Sequence, residues 1–534
     1  MADYHLDNVF ASMGLTEEQK KQIIEQSIRE EREEIVNQAL NFIENIYVHL
    51  PLKQARNAID PIQRLKLLKH RLVKMNELSF QQEIIGIFTE LRDLHTVYMP
   101  PMPYQSLNFI LPFIIEEFYE NNHRYYIVSH VNEDFEHESL EKGVIVTHWN
   151  GVPIERAIEL NGLRTYASNE NTRRIHGLNS LTLRSGSKYL VPDEEWLYIS
   201  YITKNQEHYE HRFQWQTWNL PETQAQTNNQ AVPNSRAYGS LGVDFEATKL
   251  QKIKKGLFAS NSNQVNQTFY ETDFQWSICN TNYGEYGYMR IHSFMIYDRQ
   301  KFIQDLIRVL EQLPKDGLII DVRGNSGGYI EAAEMMLQLF TANKIQPELF
   351  QFINTPTTLK LAAEPWKSSI EHSIDTGAVY SSGYPIGGHS YYIDEINQYG
   401  RKYFGPTILI TDALCYSATD IFAAGFQDNN IGPILGTSES TGAGGANVWE
   451  YYDLFHPLGY SALPRNAQIR MAVKRAIRVG NQNGSPLEDS GVIPDYLYNM
   501  TRNDVLNGNV DLIEKAASIL VNMKGLHHLP LEVF

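Results

Sequence analysis

A serine hydroxyl turns nucleophilic where the chain exposes it to backbone N–H groups and to a base. Residues 406–430, PTILITDALCYSATDIFAAGFQDNN, have that form around Ser417. Thr407 to Ile410 are strand-type residues, whereas Ile421, Phe422, Ala424, Gly425 and Gln427 follow a helical period. Ser417 therefore stands at a helix start, where unpaired N–H groups and the positive end of the dipole stabilise an oxyanion. Ordinary N-capping by the same serine explains the local pattern equally well. A second segment, GLIIDVRGNSGGYIEAAEMMLQLF (317–340), reads as a buried strand, a glycine-bearing turn and a helix with Ile330, Ala333, Leu337 and Phe340 on one face. Gly324, Gly327 and Gly328 permit positive φ and close approach of a ligand, and such a turn presents backbone donors to an anion. The segment has neither GxGxxG spacing nor the GxxxxGK[ST] lysine, which argues against a nucleotide phosphate.

Both segments need a scaffold that brings them together. From residue 284 strand and helix patterns alternate: GYMRIHSF (287–294), a helix over 298–312, GLIIDVR, a helix over 329–340, then the Ser417 unit. That alternation predicts an α/β core. Upstream, residues 16–92 read as helical. Ile23, Ile24, Ile28, Ile35, Ala39 and Phe42 lie near one face of a highly charged first helix, and shorter helical patterns follow near 60–75 and 79–92. After His95 come Pro100, Pro101 and Pro103, then the strand-like runs FILPFII and RYYIVSHV. GVIVTHWNGVPIERAIELNG, from 143, reads as strand, tight turn at Asn150-Gly151, short strand and helix. Residues 217–240 and 246–268 are polar and aperiodic, the mark of a long exposed insertion open to proteolysis.

Three blocks, GYMRIHSF, LIIDVRGNSGG (318–328) and YSATDIFAAGFQDN (416–429), are followed by ILGTSESTGAGGAN (434–447) and EDSGVIPD (488–495). In this order they resemble the C-terminal-processing, or tail-specific, family of serine proteases and its tricorn-like and retinoid-binding-protein-like relatives, over roughly the C-terminal half of the chain. The resemblance implies Ser417 as nucleophile, opening an S-x-[ST]-[DE] stretch. It also implies an oxyanion hole made by the backbone N–H groups of Ala418 and of Gly327 or Gly328. The better-known branch of the family uses a lysine base in a T-F-G-K block; here the block reads STGAGGAN, and the lysine position falls on about Gly442. This form is similar to the branch of tricorn and the chlamydial protease-like activity factor, which use a histidine far upstream and a glutamate downstream. By that likeness His95, in LRDLHTVYMPP, is the general base. Glu488, or Asp489 next to it, is the acid that orients the imidazole. His292 is a rival base, and Lys474 and Lys402 are fallbacks, because burial lowers a lysine pKa toward neutrality. Asp428 and Asn429 read as helix-end residues.

The implied fold is α/β within an α+β multidomain chain. Residues 1–95 form an N-terminal helical region, 96–216 a PDZ-like, β-rich module, 217–268 a polar insertion or linker, and 269–534 a protease core of crotonase-like ββα repeats. The implied activity is that of a serine endopeptidase working through an acyl-enzyme on peptide or protein substrates, with no metal or cofactor. A non-catalytic ligand- or peptide-binding protein and a Ser-Lys processing protease are the alternatives on this scaffold. The insertion is expected to mask the cleft until it is cut.

Composition bounds these readings. At 534 residues the chain exceeds one ordinary core. Its net charge of −17 argues against nucleic acid or an anionic membrane as partner. Two cysteines, Cys279 and Cys415, exclude a disulfide framework and a cysteine-rich zinc site. The N-terminal sequence has no basic segment leading into an apolar one, and no uncharged apolar run reaches membrane-spanning length. The expectation is a cytoplasmic chain without membrane insertion, with leaderless export left open and a homo-oligomer compatible.

Overall fold

The computed structural model describes residues 16–218, 241–243, 266–267 and 274–527, so most of the foreseen insertion lies outside the described residues. Four helices open the chain: α1 (Glu17–Asn45), α2 (Leu50–Asn57), α3 (Pro61–Lys69) and α4 (Glu77–Glu90). Side chains of Thr16, Asp60 and Asn76 accept the N–H groups of Gln19, Gln63 and Ser79, capping α1, α3 and α4. The apolar face expected along all of α1 is buried only in its second half. Ile35, Ala39 and Phe42 are in the core, whereas Ile23, Ile24 and Ile28 are exposed. At about 1.5 Å per residue the helix is longer than the surface it covers. Arg32 marks where cover begins, donating to the carbonyls of Leu72 and Met75.

A second unit follows. Strand β1 (Val97–Met99) leads to β2 (Phe113–Glu120), β3 (His123–Val131), β4 (Ile145–Trp149), helices α5 (Ile154–Gly162) and α6 (Glu170–Thr182), then β5 (Trp196–Ile202) and β6 (His208–Gln214). Strands β2 to β6 form one antiparallel sheet in sequence order. Its inward residues Phe113, Val128, Val146 and Ile199 join Ile158 of α5 and Leu181 of α6 in a core separate from the main one. β1 does not belong to this sheet, although the sequence reading grouped it there; it pairs with a strand near the C-terminus.

The elements that follow and position the site include β7 (Leu241–Val243), β8 (Phe274–Thr281), β9 (Gly284–Ile291), α7 (Arg299–Gln312), β10 (Leu318–Asp321), β11 (Gly327–Tyr329), α8 (Ile330–Leu337), β12 (Leu349–Phe352), β13 (Thr407–Thr411), α9 (Ala418–Asp428), β14 (Ile434–Gly436), β15 (Ala446–Trp449), β16 (Gln468–Ile477), β17 (Tyr496–Leu497) and α10 (Val510–His527). The central sheet runs β8-β9-β10-β13-β14-β17 and is parallel from β9 onward. Its strands are apolar on both faces, as a covered parallel sheet requires. Leu318, Ile320 and Leu409 face the cluster that holds α8 and α9, while Ile319, Ile408 and Ile410 pack on Leu512, Ala516 and Leu520 of α10. β9 ends at Ile291, so His292, read from sequence as a strand residue, lies beyond it.

A second sheet places β16 between β1 and β12, and β15 also pairs with β16. It carries the N-terminal helices: Val48 N–H donates to Ala472 on β16. Among the described residues, no helix is long and apolar enough to cross a membrane.

Candidate active site

Ser417 occupies the turn between β13 and α9 with φ 63° and ψ −121°. A non-glycine residue in this region stores about 1–3 kcal/mol, and a sharp strand-to-helix turn is how a serine hydroxyl is thrust out of its own backbone. Two carboxylates hold the turn. Asp412 Oδ1 accepts the N–H groups of Leu414 and Cys415 at 3.0 Å each and that of Gly324, in the glycine turn, at 2.8 Å. Asp420, one turn into α9, accepts N–H from Ser417 (3.0 Å), Ala443 (3.2 Å) and Gly444 (2.8 Å). Burial pushes the Asp420 pKa up to about 6. The amides of Ala443 and Gly444 thus anchor the GAGGAN segment beneath Ser417.

His95 comes from the other end of the chain. Its Nε2 lies 2.8 Å from Ser417 Oγ, and both residues are fully buried. Asp93 sets its backbone: Oδ1 accepts the His95 N–H at 2.7 Å and Oδ2 the Thr96 hydroxyl at 3.0 Å. Thr96 Oγ1 in turn accepts the N–H of Ala472 on β16 at 3.1 Å, which docks the histidine loop on the core. The imidazole lies against Tyr416, with ring centroids 4.5 Å apart. Burial holds the His95 pKa well below the ordinary 6.5, and the charges of Arg470 and Lys53 add to this. His95 is therefore neutral at pH 7, and Nε2 can accept the Ser417 proton. His95 Nδ1 has no hydrogen-bond partner among the described residues.

Glu488 lies in the same buried region but bonds elsewhere. Its Oε1 accepts from Lys53 Nζ at 2.7 Å, Asp489 accepts from the same ammonium, and Oε2 is 3.7 Å from His49 Nε2. Burial drives the Lys53 pKa down, but Glu488, Asp489 and Asp93 outweigh it and keep the ammonium charged. The Glu488 pKa is raised, first by burial and then by neighbouring acids. Burial and Lys53 lower the pKa of His49, so its contact with Glu488 is not an ion pair. His49, Asp93 and Glu488 each bring one donor atom within 4.8 Å of the others. Lys53 already supplies a cation to that cluster.

The glycine turn separates the two candidate amides. Gly327 N–H donates to Asn325 Oδ1 at 3.0 Å. Phe294 N–H donates to Gly327 O, and Tyr329 N–H to Phe294 O. By strand alternation the N–H of Gly328 points the other way, to the side where β7 pairs with β11. Gly328 has φ +151°, and a Cβ there would stand 2.0 Å from the Phe294 carbonyl carbon, so only glycine fits. The β7 register sets Leu241 opposite Tyr329, Gly242 opposite Gly328 and Val243 opposite Gly327. Ala418 is the first residue of α9 and is fully buried.

A Cβ on Gly442 would meet Cys415 O at 2.7 Å, which leaves no room for a longer side chain there. Lys474 makes no hydrogen bond or ion pair with any described residue; its ammonium lies over the rings of Trp366 and Phe352. Lys402 joins its backbone N–H to Leu339 O. Cys279 and Cys415 are not bridged. Sequence reasoning passed over Asp412, Lys53 and His49. Asp412 stands five residues before the serine without a motif of its own, and the other two lie in a helical region read as scaffold.

Residues 285–498 match peptidase family S41, and residues 107–227 match a PDZ domain. The first falls on the parallel sheet with the serine turn, the second on the antiparallel sheet of β2 to β6. The chain therefore carries a segment similar to the S41 peptidases behind one similar to a PDZ domain. A 61-residue stretch is 43% identical to the carboxy-terminal processing protease CtpB of Bacillus subtilis (strain 168), covering 11% of this chain and 12% of CtpB. Among solved structures, mature CPAF aligns with a TM-score of 0.67 at 15% identity, over 93% of this chain and 99% of that one. Mature CPAF complexed with lactacystin gives 0.66 at 15% identity over the same shares. At such identity the likeness is one of fold.

Proposed function

We propose that this chain is a serine endopeptidase in which His95 removes the Ser417 proton and Ser417 Oγ attacks a peptide carbonyl. The observation that carries this reading is the 2.8 Å contact between His95 Nε2 and Ser417 Oγ at a strained helix start. As the C–O bond forms, negative charge moves to the carbonyl oxygen. The N–H groups of Gly328 and Ala418 are the donors assigned to it. Protonated His95 then gives its proton to the leaving amine, and a water activated by the same imidazole releases the acyl-enzyme. Asp93 positions the imidazole through the His95 backbone. Glu488, which shares a buried cluster with His49 and Asp93, is assigned to stabilise the imidazolium through space. No step requires a metal or cofactor.

Substrate is read as an extended peptide added to the edge of β11, since β7 already lies there as an antiparallel strand. In the same reading β7 masks this edge in the uncut chain. A fluorophosphonate probe tests the chemistry. Labelling of Ser417 that disappears in Ser417→Ala and falls strongly in His95→Ala is expected. Absence of labelling on folded, nicked protein overturns the peptidase reading in favour of a binding protein on the same scaffold.

A further inference from the structure

The catalytic reading leaves a buried lysine unused. Lys474 is 7% exposed, and its ammonium lies 4.1 Å from the centroid of the Trp366 ring and 5.3 Å from that of Phe352. It has neither a hydrogen bond nor an ion pair among the described residues. Two aromatic faces offset part of the desolvation of a cation, yet an ammonium has three donors that a ring does not satisfy. Burial lowers its pKa to about 7, with only Glu331 acting in the other direction.

Its position ties it to the cleft. In β16 a bulge at Val473 turns Lys474 to the face shared with Asn447 of β15 and Phe352 of β12, opposite to Arg470 and Ala472. Lys474 is in register with Asn447 of β15, and β7 lies against both β15 and β11. Glu331, whose field reaches Lys474, sits in the first turn of α8, directly after β11. Lys474 is therefore paired with β15, the strand against which β7 lies. Glu331 does not satisfy it, because its carboxylate is 3.5 Å from Arg299.

We propose that Lys474 is a specificity-determining residue that receives a side-chain carboxylate of the peptide substrate, Asp or Glu, in a pocket walled by Trp366 and Phe352. The carboxylate would supply the missing acceptor, and the aromatic walls would exclude water from the pair. This proposal rests on the peptidase reading and names the substrate class that the site prefers.

The test is cleavage of a peptide library with both ends capped, by wild type, Ser417→Ala, Lys474→Met and Lys474→Glu, each checked for folding by thermal melting. Wild-type cleavage that is lost in Ser417→Ala establishes the peptidase reading by itself. The proposal then expects Asp or Glu to be favoured over Gln at one position near the scissile bond by about tenfold or more in kcat/KM, the scale of one charge-assisted hydrogen bond. In Lys474→Met this ratio should fall to about one, and in Lys474→Glu it should invert toward Lys or Arg. Serine-dependent cleavage without an acidic preference, or with one that survives in folded Lys474→Met, overturns the proposal and leaves the peptidase reading standing. Absence of cleavage by nicked wild type overturns both.

Discussion

Lys53 Nζ, on the second helix of the chain, lies 2.7 Å from Glu488 Oε1, 435 residues later. Both side chains are fully buried. The N-terminal helices thereby reach into the candidate site, since the ammonium bonds both Glu488 and Asp489. Lys53→Met should leave Glu488 buried without its cation and Asp489 with only Arg56, 3.8 Å away, and cost about 3–5 kcal/mol of stability. Denaturant unfolding of the single variants and of Lys53→Met with Glu488→Gln measures this. The double variant should recover part of the loss, and strict additivity would contradict the pairing.

Activity should show a displaced acid limb. Acylation needs neutral His95, whose pKa in the fold lies below 6.5, mainly through burial. As pH falls, activity persists through the ordinary imidazole range and is lost only as pH passes the lowered value. The pH profile of kcat/KM reads this directly. A limb at or above 6.5 would show that the free enzyme solvates His95.

Removal of either reacting side chain should be severe and non-additive. His95→Ala and Ser417→Ala should each lower kcat by about 10³-fold or more, and the double variant should be little worse than Ser417→Ala alone. Burst kinetics with an activated ester separates lost acylation from lost binding.

Gly328→Ala tests the assigned amide. The added Cβ would meet the Phe294 carbonyl carbon at 2.0 Å, so β11 must shift. A displacement on the order of 1 Å at the oxyanion should cost about a hundredfold in kcat/KM. Gly327→Ala serves as the comparison, because the Gly327 N–H is already held by Asn325.

Deletion of residues 241–243 should raise turnover of short peptides, because β7 covers the β11 edge in the intact chain. Initial rates before and after limited proteolysis provide a second measure. Equal rates in intact and deleted protein would remove any masking role.

Much of this was legible in the sequence where chemistry forces a local signature. The β13 strand, the Ser417 turn and α9 follow from strand residues giving way to a helical period. The acid of the S-x-[ST]-[DE] stretch is Asp420, whose carboxylate clasps the turn. Glycines at 327 and 328 signalled close approach, but which amide turns to the cleft depends on how Phe294 pairs with the strand, a contact between distant segments. The surroundings of Glu488 were not legible for the same reason: Lys53 lies in α2 and His49 just before it, in a region whose charge pattern looks merely solvated. Along α1 the periodicity marked one face without saying where it is buried; a stripe of isoleucines shows which face can be covered, not whether a neighbour is there.

The PDZ domain touches the catalytic loops through α6 and the residues just before it. Thr172 Oγ1 donates to Ala413 O at 3.2 Å, Asn169 Nδ2 to Thr441 O at 2.9 Å, and Ser168 Oγ to Gly442 O at 3.3 Å. These bonds grip both sides of Ser417, the approach to it and the glycine segment under it. The domain is thus a buttress as well as an appendage. A truncated core lacking it would retain Ser417 and His95 in its sequence but would lose the clamp on their loops, so the smallest working unit of this protein is larger than its peptidase segment.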